Sequence, residues 1–213
     1  SRMYEKLGAD YLAVSNIEEA LQLRHAGIKI PILILGYTDP HCVKELAHND
    51  ITQCVFSYDY GMALSKNATE EKADIKIHIK IDTGMGRIGF RCVPEELDVA
   101  AMVCMAPGIT VGGIFTHFAS ADEGDDGRGY TLAQFHQFSD AVRYLEAKGI
   151  AFPIRHCSNS AGIVEMQEMN MDAVRAGITI YGLYPSDEVR KAANTAKYHL
   201  ISHCVTASPH RGS

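Results

Sequence analysis

Seven short apolar runs recur along this 213-residue chain, and a segment with helix signals parts each from the next. Strands that alternate with helices build parallel sheets, because a parallel pair needs a crossover connection and a helix supplies it. The runs fall at residues 11–14, 31–36, 51–56, 75–82, 109–118, 154–157 and 174–181. Between them, Asn16 with Glu19 three residues on starts a helix that ends near Gly27. Asp39-Pro40 opens a short second helix, and residues 57–72, 94–105, 131–148 and 160–167 supply the rest. The helix at 131–148 carries Leu132, Phe135, Phe138, Val142 and Leu145 at helical spacing and closes at Gly149.

A right-handed series of such crossovers either closes into a barrel or stays open as a doubly wound sheet. No Gly-x-Gly-x-x-Gly follows the first run, which disfavours the dinucleotide-binding version. A barrel needs eight strands. Seven are present, and the chain opens inside a helix-like segment at residues 3–7. The expected fold is therefore α/β: an incomplete (β/α)8 TIM-type barrel lacking its first strand, over residues 1–186. Residues 187–213 show no core periodicity and are expected to form an irregular tail. An unclosed barrel exposes two strand edges, so poor solubility or self-association is expected.

The net charge of −6 disfavours a nucleic-acid or anionic-membrane partner. No apolar run reaches transmembrane length, and no signal peptide is evident. The six cysteines are scattered without a Cys-x-x-Cys pair, which points to a reduced cytoplasmic protein with no metal site.

The fourth run is the most informative. Ile75, Ile77, Ile79 and Ile81 alternate with Lys76, His78, Lys80 and Asp82, and a Gly-x-Gly turn then leads to Arg87. With the isoleucines toward the helices, the ionisable set points into the barrel. A buried lysine is costly unless it is paired or chemically altered. One reading is a structural Lys–Asp–Arg network; another has Arg87 reach the barrel mouth and clamp a carboxylate. His117, at the end of the fifth run, is either structural or placed to stack on a flat ring or bond an acid/base group. The sixth run ends in His156-Cys157-Ser158-Asn159-Ser160, small polar residues that offer N–H groups to an anion, although Ser160 also reads as a plain N-cap. The seventh gives Arg175-Ala176-Gly177-Ile178, a charge within an apolar run, where Gly177 also reads as a packing position. The acidic stretch 122–126 reads as solvated loop.

The Lys80-Ile81-Asp82-Thr83-Gly84-Met85-Gly86-Arg87 block, Thr116-His117-Phe118-Ala119, His156-Cys157-Ser158-Asn159-Ser160, and Arg175-Ala176-Gly177-Ile178 with Tyr181-Gly182 together resemble the alanine racemase family in order and spacing. The resemblance covers about residues 5–186. It implies pyridoxal 5′-phosphate as cofactor, alanine as substrate, D-alanine supply for the cell wall as role, and a homodimer for the full-length enzyme. It casts Arg175 as the partner of the pyridine nitrogen and His156 as the histidine that orients it. Ser160, Gly177 and Ile178 match phosphate contacts. His117 matches the histidine beside the cofactor and the acid/base tyrosine, and Arg87 the arginine near the substrate carboxylate. Lys80 matches a lysine often carbamylated in the family, which would turn a buried cation into an anion paired with Arg87. Arg175, His117 and Arg87 are thus the expected catalytic set.

Racemisation needs two acid/bases on opposite faces of the α-carbon. The family's cofactor-bonding lysine block, Lys-x-Asn/Asp-Ala-Tyr-Gly, does not occur in these residues, nor does the tyrosine-bearing C-terminal domain. The 213 residues alone are therefore expected to be inactive and to bind the cofactor weakly or not at all. A racemase of another small amino acid such as serine, a non-catalytic pyridoxal-phosphate barrel and a decarboxylase on the same barrel are the alternatives. Arg175 argues against the last two, since decarboxylation chemistry usually pairs the ring nitrogen with a carboxylate.

Overall fold

The computed structural model describes residues 1–195. Six strands lie side by side in chain order, all parallel: β1 (Leu12–Val14), β2 (Ile32–Ile34), β3 (Ile51–Val55), β4 (Ile75–Asp82), β6 (Ile109–Phe115) and β7 (Ile154–His156). A two-residue strand, β5 (Phe90–Arg91), pairs with the end of β4 outside this order; it is too short to show a strand period. Among the described residues β1 and β7 do not pair with each other. The result is the incomplete α/β barrel expected from the pattern, a parallel sheet open along one side.

Helices α1 (Arg2–Lys6), α2 (Ile17–His25), α3 (Val43–His48), α4 (Tyr58–Glu70), α5 (Pro94–Cys104), α6 (Asp125–Glu146) and α7 (Ser160–Glu165) punctuate the strands. None of the described helices is long and apolar enough to cross a membrane. At α2 the Asn16 side chain accepts from Glu19 N at 2.9 Å, while the Glu19 carboxylate accepts from Ser15 N at 2.8 Å. One free N–H of the first turn, that of Glu19, and the N–H of Ser15 just before the cap are thereby satisfied. The helix expected at 131–148 begins earlier, at Asp125, so Asp125 and Asp126 sit in its first turn rather than in a loop. Their charge there complements the helix dipole.

β4 is buried on both faces. Ile75, Ile77, Ile79 and Ile81 are fully covered in the main core, and His78 and Lys80 are buried on the opposite, interior side. Lys76 departs from the expected inward set: it is exposed, and its Nζ lies 2.6 Å from Asp50 Oδ1. The first interior position of β4 opens to water, so its ammonium remains hydrated.

The strand expected at 174–181 is absent. Only Ala173 bridges to His156; beyond it Arg175 N donates to Ser158 O at 3.0 Å and Gly177 N to Ser160 Oγ at 2.9 Å. Residues Ile178–Tyr181 then coil into a 3-10 turn ended by Gly182 at φ +75°. With a neighbour on one side only, this backbone finds partners in a side chain and a tight turn. Val174, Ile178 and Ile180, which made it look like a strand, are 41–43% exposed.

The tail expected to be irregular starts as a helix, α8 (Asp187–Thr195), packed on α7 with Val189 and Ala193 buried. Ser186 caps it, accepting from Val189 N at 3.1 Å while donating to Asp122 O at 2.6 Å. Its apolar signal is two residues four apart, too narrow a stripe to read as periodicity. The rest of that tail, 196–213, lies outside the described residues.

Candidate active site

The C-terminal ends of the strands surround a cleft of about 490 Å³. Catalytic and ligand-binding groups of parallel α/β folds gather at this end. Lys80, Arg87, His117, Ser160, Arg175, Gly177 and Ile178 all line it, together with an apolar wall that includes Ala13, Leu35 and Phe115. Of the residues expected at the site, His156 alone stands behind the wall. These residues come from the ends of β4, β6 and β7 and from the segment after Ala173, so their meeting depends on the barrel.

Arg175 is held from below. Its Nη1 lies 2.8 Å from His156 Nδ1, and its Nη2 donates to the carbonyls of Thr116 at 2.7 Å and Cys157 at 3.2 Å. Among the described residues no carboxylate pairs with it. A guanidinium only donates, so His156 Nδ1 must accept and the ring is neutral. Burial, and then the Arg175 charge, hold His156 well below the usual histidine range. His117 Nδ1 lies 3.5 Å from Arg175 Nη2; burial, followed by the charges of Arg175, Lys80 and Arg87, pushes it down to about 3. The cleft therefore carries fixed positive charge beside two uncharged imidazoles.

Lys80 is 4% exposed, with its Nζ 4.8 Å from the Phe115 ring centre and no carboxylate or hydrogen-bond partner among the described residues. Burial, then Arg175, lowers it to about 7. The Lys–Asp–Arg network does not form. Asp82 turns instead to the Gly-x-Gly loop, where Oδ1 accepts from Gly84 N at 3.0 Å and Gly86 N at 3.1 Å. The loop carries Arg87, exposed at the rim, to the cleft.

Ser160 is not an N-cap. Asn159 fills that position, accepting from Gly162 N at 3.1 Å, which frees the Ser160 hydroxyl. Its Oγ accepts from Gly177 N at 2.9 Å and lies 3.2 Å from Thr179 Oγ1. The Ser160 hydroxyl and the Gly177 N–H thus meet in one corner of the cleft, groups of the kind that can hold an anion.

Two buried residues were not foreseen as part of the site. Gln134 of α6 accepts from Ala119 N at 2.9 Å and donates to Thr83 Oγ1 at 3.2 Å and His117 O at 3.4 Å, gripping the segment that bears His117. The signal was present: a glutamine within the apolar stripe of an amphipathic helix. His78 Nδ1 lies 3.0 Å from His156 Nε2, a contact between strands that sequence alone does not specify.

Residues 1–185 match the family model described as alanine racemase, N-terminal domain. The alanine racemase of Desulforamulus reducens is 44% identical over 191 residues, which cover 90% of this chain and 51% of that protein. The alanine racemase of Desulfovibrio desulfuricans is 48% identical over 183 residues, covering 85% and 48%. The chain thus spans about half the length of these curated relatives. Among solved structures, the alanine racemase of Clostridium difficile in complex with cycloserine superposes with a TM-score of 0.84 at 37% identity, over 89% of this chain and 52% of that one. The Bacillus anthracis alanine racemase with bound L-Ala-P gives 0.83 at 37% identity, over 89% and 48%. The curled parallel sheet, the cleft at its strand ends and these likenesses lead to one conclusion: the chain belongs to the alanine racemase family, as its N-terminal domain.

Proposed function

We propose that the protein bearing this chain interconverts L- and D-alanine and that the cleft is its pyridoxal 5′-phosphate site. The observation that carries the reading is Arg175, a cation lining the cleft with no carboxylate partner among the described residues, held by a neutral histidine and two carbonyls. The cleft also fits the cofactor in kind: apolar walls for a flat ring, and a corner of Ser160 and Gly177 for a phosphate. When bound, the cofactor supplies the electron-withdrawing ring that lets an amino acid release its α-hydrogen as a proton.

The chain's own residues do the rest. Arg175, lowered by burial only to about 10, keeps its proton at neutral pH and donates to the pyridine nitrogen. Because a guanidinium does not readily yield its proton, Arg175 would leave that nitrogen unprotonated, which would moderate electron withdrawal and disfavour transamination. Ser160 Oγ and the N–H groups of Gly177 and Ile178 hold the phosphate. His117 stays neutral beside the ring as a hydrogen-bonding partner. Arg87 receives the substrate carboxylate. Lys80, lowered to about 7 and so about half neutral at that pH, takes up carbon dioxide through its neutral amine; the nitrogen–carbon bond forms, a proton leaves to solvent, and the resulting carbamate faces Arg87.

Among the described residues Lys80 is the one lysine lining the cleft, and on this reading racemisation draws an acid/base from outside the described residues. The active protein is a cytoplasmic homodimer that supplies D-alanine to the cell wall. The test is to express the complete reading frame containing these residues, supply pyridoxal phosphate and L-alanine, and follow D-alanine. Turnover of alanine, lost in Arg175→Glu, is expected. Preferential turnover of serine, or cofactor binding without any turnover, would overturn the reading.

A further inference from the structure

We propose that His78 is a positioning residue for Arg175: it holds His156 in the one orientation that lets that ring accept from the guanidinium. The functional consequence rests on the reading of Arg175 as the cofactor's nitrogen partner; the hydrogen-bond assignment does not.

One arrangement of protons satisfies the row. Arg175 can only donate, so His156 Nδ1 accepts across 2.8 Å. His156 then carries its proton on Nε2 and donates it to His78 Nδ1 across 3.0 Å. His78 in turn carries its proton on Nε2, and that N–H has no partner among the described residues. Three groups point their donors away from the cleft, one after another, and the row ends inside the barrel on an unpaired N–H.

An unpaired N–H on a side chain 2% exposed is rare because it is destabilising. Leucine or phenylalanine at this position would avoid it. The ring is therefore retained for its other nitrogen, the acceptor that His156 needs. The sheet is also shaped around it. The β4–β6 register slips beside His78, leaving Gly112 as an unpaired extra residue, a bulge of the kind that re-aims side chains near active sites. A Cβ at Gly113 would stand 2.8 Å from His78 Cε1 and 2.9 Å from Nε2. Tyr11 flanks the His78 ring at 5.9 Å, and Phe115 stacks on His156 at 4.8 Å and 8°. Both rings stay neutral, since burial and then the charge of Arg175 lower His78 to about 4. Without His78, the His156 Nε2–H becomes the unpaired group. The ring then has reason to turn over, and a turned ring presents its Cδ2–H to the guanidinium in place of the Nδ1 acceptor.

The test is nitrogen-15 NMR of the imidazoles and of the Arg175 guanidinium in the 213-residue chain, comparing wild type, His78→Asn and His78→Gln. Asparagine puts an amide where Nδ1 stands; glutamine puts it where Nε2 stands. The wild type is expected to show both rings neutral with the proton on Nε2. In His78→Asn the His156 tautomer is kept, and the Arg175 side-chain protons exchange within about twofold of wild type. In His78→Gln that exchange speeds up by about tenfold or more, the scale of one lost buried hydrogen bond. A His78 proton on Nδ1 in the wild type, or two variants that behave alike, would overturn the proposal. If His78→Gln does not fold, the wild-type tautomer and the His78→Asn exchange rates decide. Pyridoxal phosphate affinity of the protein expressed from the complete reading frame should follow the same order; if that protein binds none at all, the cofactor reading fails and the NMR result still decides the role of His78.

Discussion

His156 Nδ1 lies 2.8 Å from Nη1 of Arg175, and this contact sets the direction in which the guanidinium faces. A carboxylate in the same place would neutralise the arginine. A neutral imidazole orients it and leaves its charge available to the cleft. Most of the account's chemistry follows from that difference, and several consequences can be measured.

Lys80 should make stability depend on pH. Its folded-state value, lowered to about 7 by burial and then by Arg175, lies below the ordinary lysine value of 10.5. Between those two pH values the unfolded chain binds the extra proton, so stability rises with pH across the window. Below pH 7 the full cost of the buried ammonium is present. Lys80→Met should therefore stabilise the chain, by on the order of a few kcal/mol below pH 7, with the gain vanishing toward pH 10.5. Urea unfolding at a series of pH values checks this. Carbon-13-labelled bicarbonate should also give a carbamate carbonyl signal that Lys80→Met abolishes.

Ser160→Ala removes the acceptor for Gly177 N–H, a 2.9 Å bond. A loss of about 1 kcal/mol in stability is expected, with roughly tenfold weaker binding of pyridoxal phosphate. Denaturant midpoints and an absorbance titration read the two effects separately. Unchanged affinity would remove Ser160 from the anion corner.

Asp82 holds the turn that delivers Arg87, through bonds to Gly84 N and Gly86 N at 3.0 and 3.1 Å. Asp82→Ala should cost about 1–2 kcal/mol and speed hydrogen exchange at those two amides. Exchange at wild-type rates would show that the glycine turn stands without its carboxylate.

Gly113→Ala should be among the more damaging small substitutions. The new Cβ would lie 2.5 Å from Ile154 O, which is backbone in a paired strand, and 2.8 Å from the His78 ring. A loss of about 1–3 kcal/mol is expected from urea unfolding. The same change at exposed Gly129, which meets nothing within 4 Å, is the control.

The barrel was legible because β4 alternates isoleucine with ionisable residues and because helices and strands take turns along the chain. Period and order are local properties, and they carried the class of fold and the strand ends where Arg87, His117, Ser160 and Arg175 meet. Residues 174–181 misled for the same reason: their apolar spacing suits a strand, but Ile178 and Ile180 are largely exposed and the backbone there lacks a second neighbour. Lys76 looked interior by alternation yet sits where the sheet ends. Gln134 and His78 went unnoticed as site residues because their partners lie on other elements, Gln134 reaching Thr83 across 51 positions and His78 reaching His156 across 78. Such pairings appear only once the parallel sheet has curled and brought the elements together.

The most direct test of the cofactor cleft is a titration of the uniformly nitrogen-15-labelled 213-residue chain with pyridoxal 5′-phosphate, followed by amide and side-chain NMR. The account predicts weak binding with shifts gathered on Ser160, Gly177, Ile178, His117 and the Arg175 guanidinium, and their loss in Arg175→Ala. Shifts confined to surface lysines, or a pattern that Arg175→Ala leaves intact, would contradict it.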